Sequence, residues 1–334
     1  MPAAGAQELI GEPPGRIAPL ADLVNVYEVQ AMARRKLPES AIAKLGSDDR
    51  RALERITFRP RLMVNVSKLD LTTELLGEKM FAPILAGPIS YQQTYHPEGE
   101  VATVVGASAA KALAVVSSRS SKPLADIIAA AKTPVWFQLY PDPDVKITIA
   151  AAQQALQSGC KAICLTVGVP YQPGESRLQP AGNLSVNWAF IDQLRKSIKA
   201  PLILKGIMSP GEAQLAVSNG VQAIVVSNHG GIFTSGFAHP IEMLPSVAEA
   251  TGGKIPILID GSFRRGTDIL KALALGARAV MLGRPPIWGL AAYGSAGVQA
   301  VFEMLQSELA RNMALCGKPD VKSIDRTLVK IHRW

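Results

Sequence analysis

The sequence predicts an α/β fold, a closed (β/α)8 barrel with a short N-terminal helical segment. Two observations carry that expectation. From about residue 80 onward, eight short apolar, β-branched runs recur, each ending in a small or polar cluster. Between them lie stretches, many Ala-rich, with apolar residues at helical spacing. Continuous apolar strands alternating with amphipathic helices mean a parallel sheet covered by helices. Eight such units point to a closed barrel rather than an open, doubly wound sheet.

In chain order, residues 1–20 are rich in Gly, Pro and Ala and read as a lead-in, followed by one domain over residues 21–334. Helical spacing runs through Leu23, Val26, Tyr27, Val29, Met32 and Ala33, and again through Ala52, Leu53 and Ile56. The predicted strands are Pro83–Pro88, Leu113–Ser118, Val135–Tyr140, Ala162–Val167, Leu202–Gly206, Ala223–His229, Pro256–Gly261 and Ala279–Pro285. The helices expected between them are Glu100–Ala112, Leu124–Ala131, Val145–Ser158, Trp188–Ser197, Pro210–Asn219, Ile241–Ala250 and Gly266–Leu275.

Composition narrows the function classes. Across 334 residues, 48% are hydrophobic and 19% charged, a balance that excludes wholesale disorder and supports a large core. The net charge of +8 is scattered, with basic pairs at most (Arg34-Arg35, Arg50-Arg51, Arg264-Arg265). Without a basic run or interleaved aromatics, nucleic acid is not an expected partner. Cys160, Cys164 and Cys316 have no neighbouring ligand set, so no metal site is expected and reduced buried thiols are. No apolar run reaches membrane-spanning length, and the first residues lack a charged n-region and apolar h-region. A cytoplasmic protein is expected, although a trimmed export leader would leave the same sequence.

A barrel of this kind carries its site at the C-terminal ends of the strands. Those ends read Gly87-Pro88, Ser117-Ser118, Gln138 with Tyr140, Thr166, Lys205, Ser227-Asn228-His229-Gly230-Gly231, Asp260-Gly261 and Gly283-Arg284. A barrel end with only a structural task has no need of polar side chains on seven strands. The string from Asp260 to Gly266 (DGSFRRG) runs into a helix, and Gly283-Arg284 ends the last strand. Glycine amides, a helix N-terminus and the forks of Arg264 and Arg284 suit a phosphate group. Lys205, at the end of an apolar strand, is either a Schiff-base nucleophile or a cation beside a ligand's negative charge. The amide partners Gln138 and Asn228 favour the second, beside an aromatic cofactor. His229, between Asn228 and two glycines, reads as a general base. His96 is expected to hold the start of the helix that follows it.

The strings FRPRLMVNVSKLDLTTELLG, HPEGE, QLY, LILKG, SNHGG, DGSFRRGTDILKALALGA and GRP resemble the FMN-dependent 2-hydroxy acid oxidases and dehydrogenases, the group of glycolate oxidase, lactate oxidase and mandelate dehydrogenase. The resemblance covers roughly residues 22–326 in order. It implies FMN as cofactor, with its phosphate on Arg264, Gly283 and Arg284; Asp260 and Gly261 are also expected among the cofactor-binding residues. It places the ring against Pro88, Ser117, Gln138 and Thr166, with Ser227 a further contact and Lys205 at the N1–C2=O edge. It puts Tyr140 against a small hydroxylated substrate and makes His229 the base that takes the hydroxyl or α proton as a hydride equivalent passes to flavin N5. The catalytic set is thus His229, Tyr140 and Lys205. A homo-oligomer is expected, and oxygen, a quinone and a protein all stay open as electron acceptor.

The departures from the family pattern concern the substrate. The family's SNHGGR, whose arginine grips the substrate carboxylate, here has Ile232 in the last position. Its TVD, whose aspartate orients the histidine, reads Thr166-Val167-Gly168. A second family arginine is matched at best by Arg177, one residue out of register. The N-terminal tyrosine pair is replaced by Ala41-Ile42-Ala43-Lys44, and the loop after strand four is short, about Tyr171 to Asn187. The flavin contacts are spared. Three functions fit: oxidation of an atypical hydroxylated substrate, slow oxidation of ordinary 2-hydroxy acids through another anchor, and a non-catalytic FMN-binding scaffold.

Overall fold

The computed structural model describes residues 15–46, 49–168, 186–231 and 238–332, together with the backbone of 171–173 and 178–180. Eight parallel strands close into a TIM barrel: β1 (Ile84–Ala86), β2 (Ala114–Ser117), β3 (Val135–Leu139), β4 (Ile163–Thr166), β5 (Leu202–Ile207), β6 (Ala223–Val226), β7 (Ile257–Ile259) and β8 (Ala279–Leu282). Every strand neighbours its sequence neighbours. Val280, Met281 and Leu282 of β8 pair with Ile84, Leu85 and Ala86 of β1 and seal the cylinder.

Strand parity divides the core in two. Leu85, Val115, Trp136, Cys164, Ile203, Val225, Leu258 and Met281 form one buried cluster inside the barrel. Their strand neighbours Ile84, Val116, Phe137, Leu165, Leu204, Ile224, Ile259 and Val280 join the cluster under the helices. This is the period-2 alternation of a β-strand bent into a cylinder. A hairpin, Thr73–Leu75 against Glu78–Met80, adds Leu75 and Met80 to the interior cluster.

The N-terminal helices are α1 (Val26–Lys36), α2 (Glu39–Leu45) and α3 (Arg51–Glu54). Those of the barrel are α4 (Gly99–Ala109), α5 (Leu124–Ala130), α6 (Val145–Gln157), α7 (Trp188–Ser197), α8 (Pro210–Ser218), α9 (Pro240–Thr251), α10 (Gly266–Ala274) and α11 (Arg284–Leu315). Several start where a short polar side chain satisfies the first free N–H groups. Asn25 accepts from Tyr27 and Glu28, Asp144 from Lys146, Asn187 from Phe190, and Ser209 from Glu212.

Two local expectations change. Ile56 is not helical. It opens a strand, Ile56–Phe58, that pairs antiparallel with Val329–Ile331, because this edge is satisfied by a distant segment that local spacing does not reveal. The helix after β8 had no sequence signal, since Tyr293 (φ −144°) and Gly294 (φ 61°) break α11 and interrupt its periodicity. At that break the Tyr293 hydroxyl donates to the Ala18 carbonyl at 2.6 Å, tying the N-terminal segment to α11. All three cysteines are buried and free; burial pushes the Cys160 and Cys164 thiols up to about 12. His96 accepts the Glu98 amide through Nδ1 at 3.3 Å, just before α4. Among the described residues, no helix is long and apolar enough to cross a membrane.

Candidate active site at the barrel mouth

The parity that fills the barrel also builds its mouth. Gly87, Ser117, Gln138, Thr166, Lys205, Ser227, Asp260 and Gly283 each lie two residues beyond an inward-facing core residue. Their positions therefore continue the interior rows upward, where the sheet ends. Above them opens a cavity of about 600 Å³. Pro88, Gln138, Tyr140, Thr166, Lys205, His229, Asp260, Gly261, Arg264, Gly283 and Arg284 all line it. Ser117 and Ser227 do not; both are almost wholly buried behind that lining.

A polar relay crosses the mouth from β2 to β4. Ser117 Oγ donates to Gln138 Oε1 at 3.0 Å, and Gln138 Nε2 donates to Thr166 Oγ1 at 2.7 Å. Ser90 Oγ lies 3.1 Å from Ser117 Oγ and extends the relay past β1. Gln138 is thereby locked, with its amide orientation set by neighbours on both sides.

Lys205 anchors a second group. Its ammonium pairs with Asp260 Oδ2 at 3.0 Å and donates to Ser227 Oγ at 2.9 Å. Burial alone would lower its pKa, but the Asp260 carboxylate outweighs burial, and the net shift is upward. Lys205 therefore stays charged inside the protein. Asp260 Oδ1 is buried and accepts no hydrogen bond among the described residues. A buried carboxylate oxygen left this way calls for a donor from a ligand.

His229 follows β6 with a left-handed backbone (φ 56°), held by its amide N–H donating to Ser227 Oγ at 3.2 Å. Ser227 thus ties the histidine backbone to the lysine ammonium. Burial, and after it the Lys205 charge, push the imidazole down to about 4, against a ring hydrogen bond to the Val167 carbonyl. The ring is neutral at pH 7. Two glycines make room for it. A Cβ on Gly206 (φ +115°) would stand 3.0 Å from His229 Nε2 and 2.2 Å from the Val167 oxygen. A Cβ on Gly168 (φ +79°) would lie 3.5 Å from His229 Nε2. Ile232 and Arg177 lie outside the described residues.

Across the mouth, Arg264 is 1% exposed and stacks over Trp288 at 4.2 Å, with Nη1 donating to the Phe263 carbonyl at 2.7 Å. Arg284 Nη2 reaches Ser262 Oγ at 3.5 Å. One expectation is corrected here. The α10 N-terminus does not offer its amides to a phosphate. Asp268 accepts from the Arg264 and Arg265 amides at 2.8 and 2.9 Å, and Glu308 accepts from Gly266 at 2.7 Å. Asp268 of α10 and Glu308 of α11 satisfy that start, and Arg264 and Arg284 are the described cations that line the cavity on this side.

The chain matches the family described as FMN-dependent dehydrogenase over residues 45–183 and 173–331. It belongs to that family. It is 36% identical to an L-lactate oxidase of Nostoc sp., over 92% of this chain and 98% of the relative. It is 34% identical to glycolate oxidase of Spinacia oleracea, over 92% and 95%. Among solved structures, a mandelate oxidase superposes with a TM-score of 0.86 at 33% identity, covering 93% of this chain and all of that one. Flavocytochrome b2 gives 0.88 at 30%, covering 94% and 88%. The cofactor of the family is FMN. The mouth fits it on its own terms: a cavity of suitable size, two arginines at one end, a buried cation, and an unsatisfied Asp260 oxygen ready for a hydroxyl donor.

Sequence reasoning missed several parts of the site. Ser90, Tyr91, Tyr95 and Arg119 come from the loops after β1 and β2, and Lys44 and Leu45 from α2, all lining the cavity. Trp288, which stacks on Arg264, sits in the helix that had no periodic signal. Gly206 could have been found, because a glycine directly after an apolar strand's terminal lysine marks a close approach.

Proposed function

We propose that this protein oxidises the CH–OH group of a hydroxylated small molecule, and that its substrate differs from the small 2-hydroxy acids named for its relatives. The observation that carries the reading is His229. It is a half-buried imidazole on the cavity wall, held neutral at pH 7 beside the Lys205 ammonium that Asp260 keeps charged. A neutral imidazole can accept a proton; a neighbouring fixed cation favours negative charge developing next to it.

FMN, when bound, supplies the two-electron acceptor of the reaction. Arg264 and Arg284 would hold its phosphate. Gln138, oriented by Ser117 and Thr166, and the backbone around Pro88 would hold its ring, with Asp260 and Gly261 as further contacts on the cavity wall. Ser227 fixes Lys205 and His229 relative to each other. Lys205 would set a positive charge beside the ring, Tyr140 orients the substrate, and the His229 imidazole takes the substrate proton. The substrate differs because Ile232 stands where the resemblance puts a carboxylate-gripping arginine. Gly168, in place of an aspartate, leaves His229 against a backbone carbonyl and so a weaker base. The relatives named as oxidases and dehydrogenases support the reaction class. The test is anaerobic bleaching of the bound flavin by a panel of hydroxy acids, esters and larger alcohols. At least one should bleach it faster than glycolate or lactate does; fast bleaching by glycolate and by lactate would refute the substrate inference.

A further inference from the structure

We infer that Arg50 is a positioning residue for the cofactor: through Asp268 it links docking of the N-terminal helical segment to binding of FMN. This rests on the phosphate placement proposed above and adds what holds that end of the site in shape.

Arg50 immediately precedes α3 and reaches across to the loop after β7 and to α10. Its Nη2 donates to Asp268 Oδ1 at 3.0 Å, and its Nη1 lies 3.0 Å from Asp268 Oδ2, a two-pronged pair. Nη1 also donates to the Ser262 carbonyl. The same guanidinium lies over the Tyr27 ring of α1, 5.8 Å from its centroid. A second tie joins the same elements: Lys271 Nζ of α10 donates to the Leu53 carbonyl of α3 at 2.9 Å.

Asp268 is the joint. Its side chain is 2% exposed, and its Oδ2 also accepts the Arg264 and Arg265 amides. One buried carboxylate thus holds both the backbone of a phosphate-side arginine and the guanidinium of the N-terminal segment. Ser262 is a second point of leverage. It has a left-handed backbone (φ 59°), lines the cavity, and offers its Oγ to Arg284 Nη2 at 3.5 Å. A residue other than glycine keeps that conformation where its surroundings determine it, and Arg50 holds its carbonyl. Lys44 and Leu45 of α2 line the same cavity, so the N-terminal segment is itself part of the wall. A buried ion pair adds little net stability over an apolar pair of the same shape. Its use here is to hold one geometry of the loop that carries Arg264.

The test titrates FMN into apoprotein, followed by flavin fluorescence, for wild type, Arg50→Gln, Arg50→Lys and Arg51→Ala. Arg51 is the control, since its side chain is 82% exposed and pairs with Asp49. Arg50→Gln should weaken FMN binding roughly 5- to 150-fold, the usual span of a coupling between two sites. Arg50→Lys should recover part of that loss, while Arg51→Ala should stay within about twofold of wild type, as surface changes do. Linkage is reciprocal, so hydrogen exchange is the second readout. In wild type, FMN should slow exchange of the α1 and α2 amides more than that of the hairpin of residues 73–80, which does not line the cavity. In Arg50→Gln that excess protection should vanish. FMN bound by Arg50→Gln as tightly as by Arg51→Ala, or excess protection unchanged in Arg50→Gln, would overturn the linkage. If Arg50→Gln loses affinity and Arg264→Ala with Arg284→Ala does not, the phosphate lies elsewhere and the linkage stands. Should Arg50→Gln not fold, Arg50→Lys decides: wild-type affinity with unchanged excess protection would overturn the linkage.

Discussion

On the β7–β8 side of the mouth, Arg264 is buried against Trp288 and its loop is closed by Asp268 and Glu308. On the β4–β6 side, the positions that would grip and activate a substrate in the family read Gly168 and Ile232. One half of the rim is a dense polar network; in the other, the resemblance expects charged residues where the sequence has a glycine and an aliphatic residue. Under the proposed function, the first half serves the cofactor and the second a different substrate.

The largest effect should come from the half that is intact. Replacing Arg264 and Arg284 together by Ala removes two charge-assisted partners of the phosphate, at roughly 1.5–3 kcal/mol each. FMN affinity, measured by fluorescence titration of the apoprotein, should fall roughly 100- to 10,000-fold. Retained tight binding would place the phosphate elsewhere.

Next in size is Lys205→Met. Removing a buried ammonium beside Asp260 withdraws the positive charge that favours an anionic flavin. The affinity of the bound flavin for sulfite should drop roughly 100-fold, the scale of ~3 kcal/mol for a broken buried pair. An unchanged sulfite titration would remove Lys205 from the ring edge.

A smaller effect is expected from rebuilding the altered half. Ile232→Arg with Gly168→Asp restores a fork and a carboxylate. The Cβ of residue 168 would lie 3.5 Å from His229 Nε2, so the carboxylate can reach the ring and raise its basicity. The φ of +79° at this position costs a non-glycine residue about 1 kcal/mol, least for Asp or Asn. Turnover of small 2-hydroxy acids should rise by a few-fold to about tenfold, the gain expected from a partly restored ion pair. Fast wild-type turnover that the double variant does not improve would show that the carboxylate is already well gripped.

The same division explains what could be read from the sequence. Lys205, Gln138, Thr166 and Asp260 were legible because each ends a run of strong β character, and parity then aims it inward. Arg119, Tyr91 and Tyr95 were not, because a loop residue's direction depends on backbone turns and distant hydrogen bonds that have no period. The Asp268 closure of α10 was hidden for the same reason. An aspartate at the third position of a helix reads equally as a surface charge or as a cap for its own amides. Trp288 was missed because the break at Tyr293 and Gly294 erased the helical spacing around it.

The central claim is that His229 is the base of an oxidising site, and it is tested most directly by the rate of anaerobic flavin reduction in wild type and His229→Gln across pH. The folded-state value of about 4 lies below the ordinary 6.5, so the neutral, competent ring is fully present above pH 6.5 and is lost as pH falls through about 4. His229 also stabilises the fold less over that same interval, since the unfolded chain binds the proton more readily. Wild type should hold its limiting rate down to about pH 5 and lose it near pH 4, and His229→Gln should be slower roughly 100- to 10,000-fold, the usual contribution of a general base. Equal reduction rates in the two proteins, with FMN bound in both, would contradict the account.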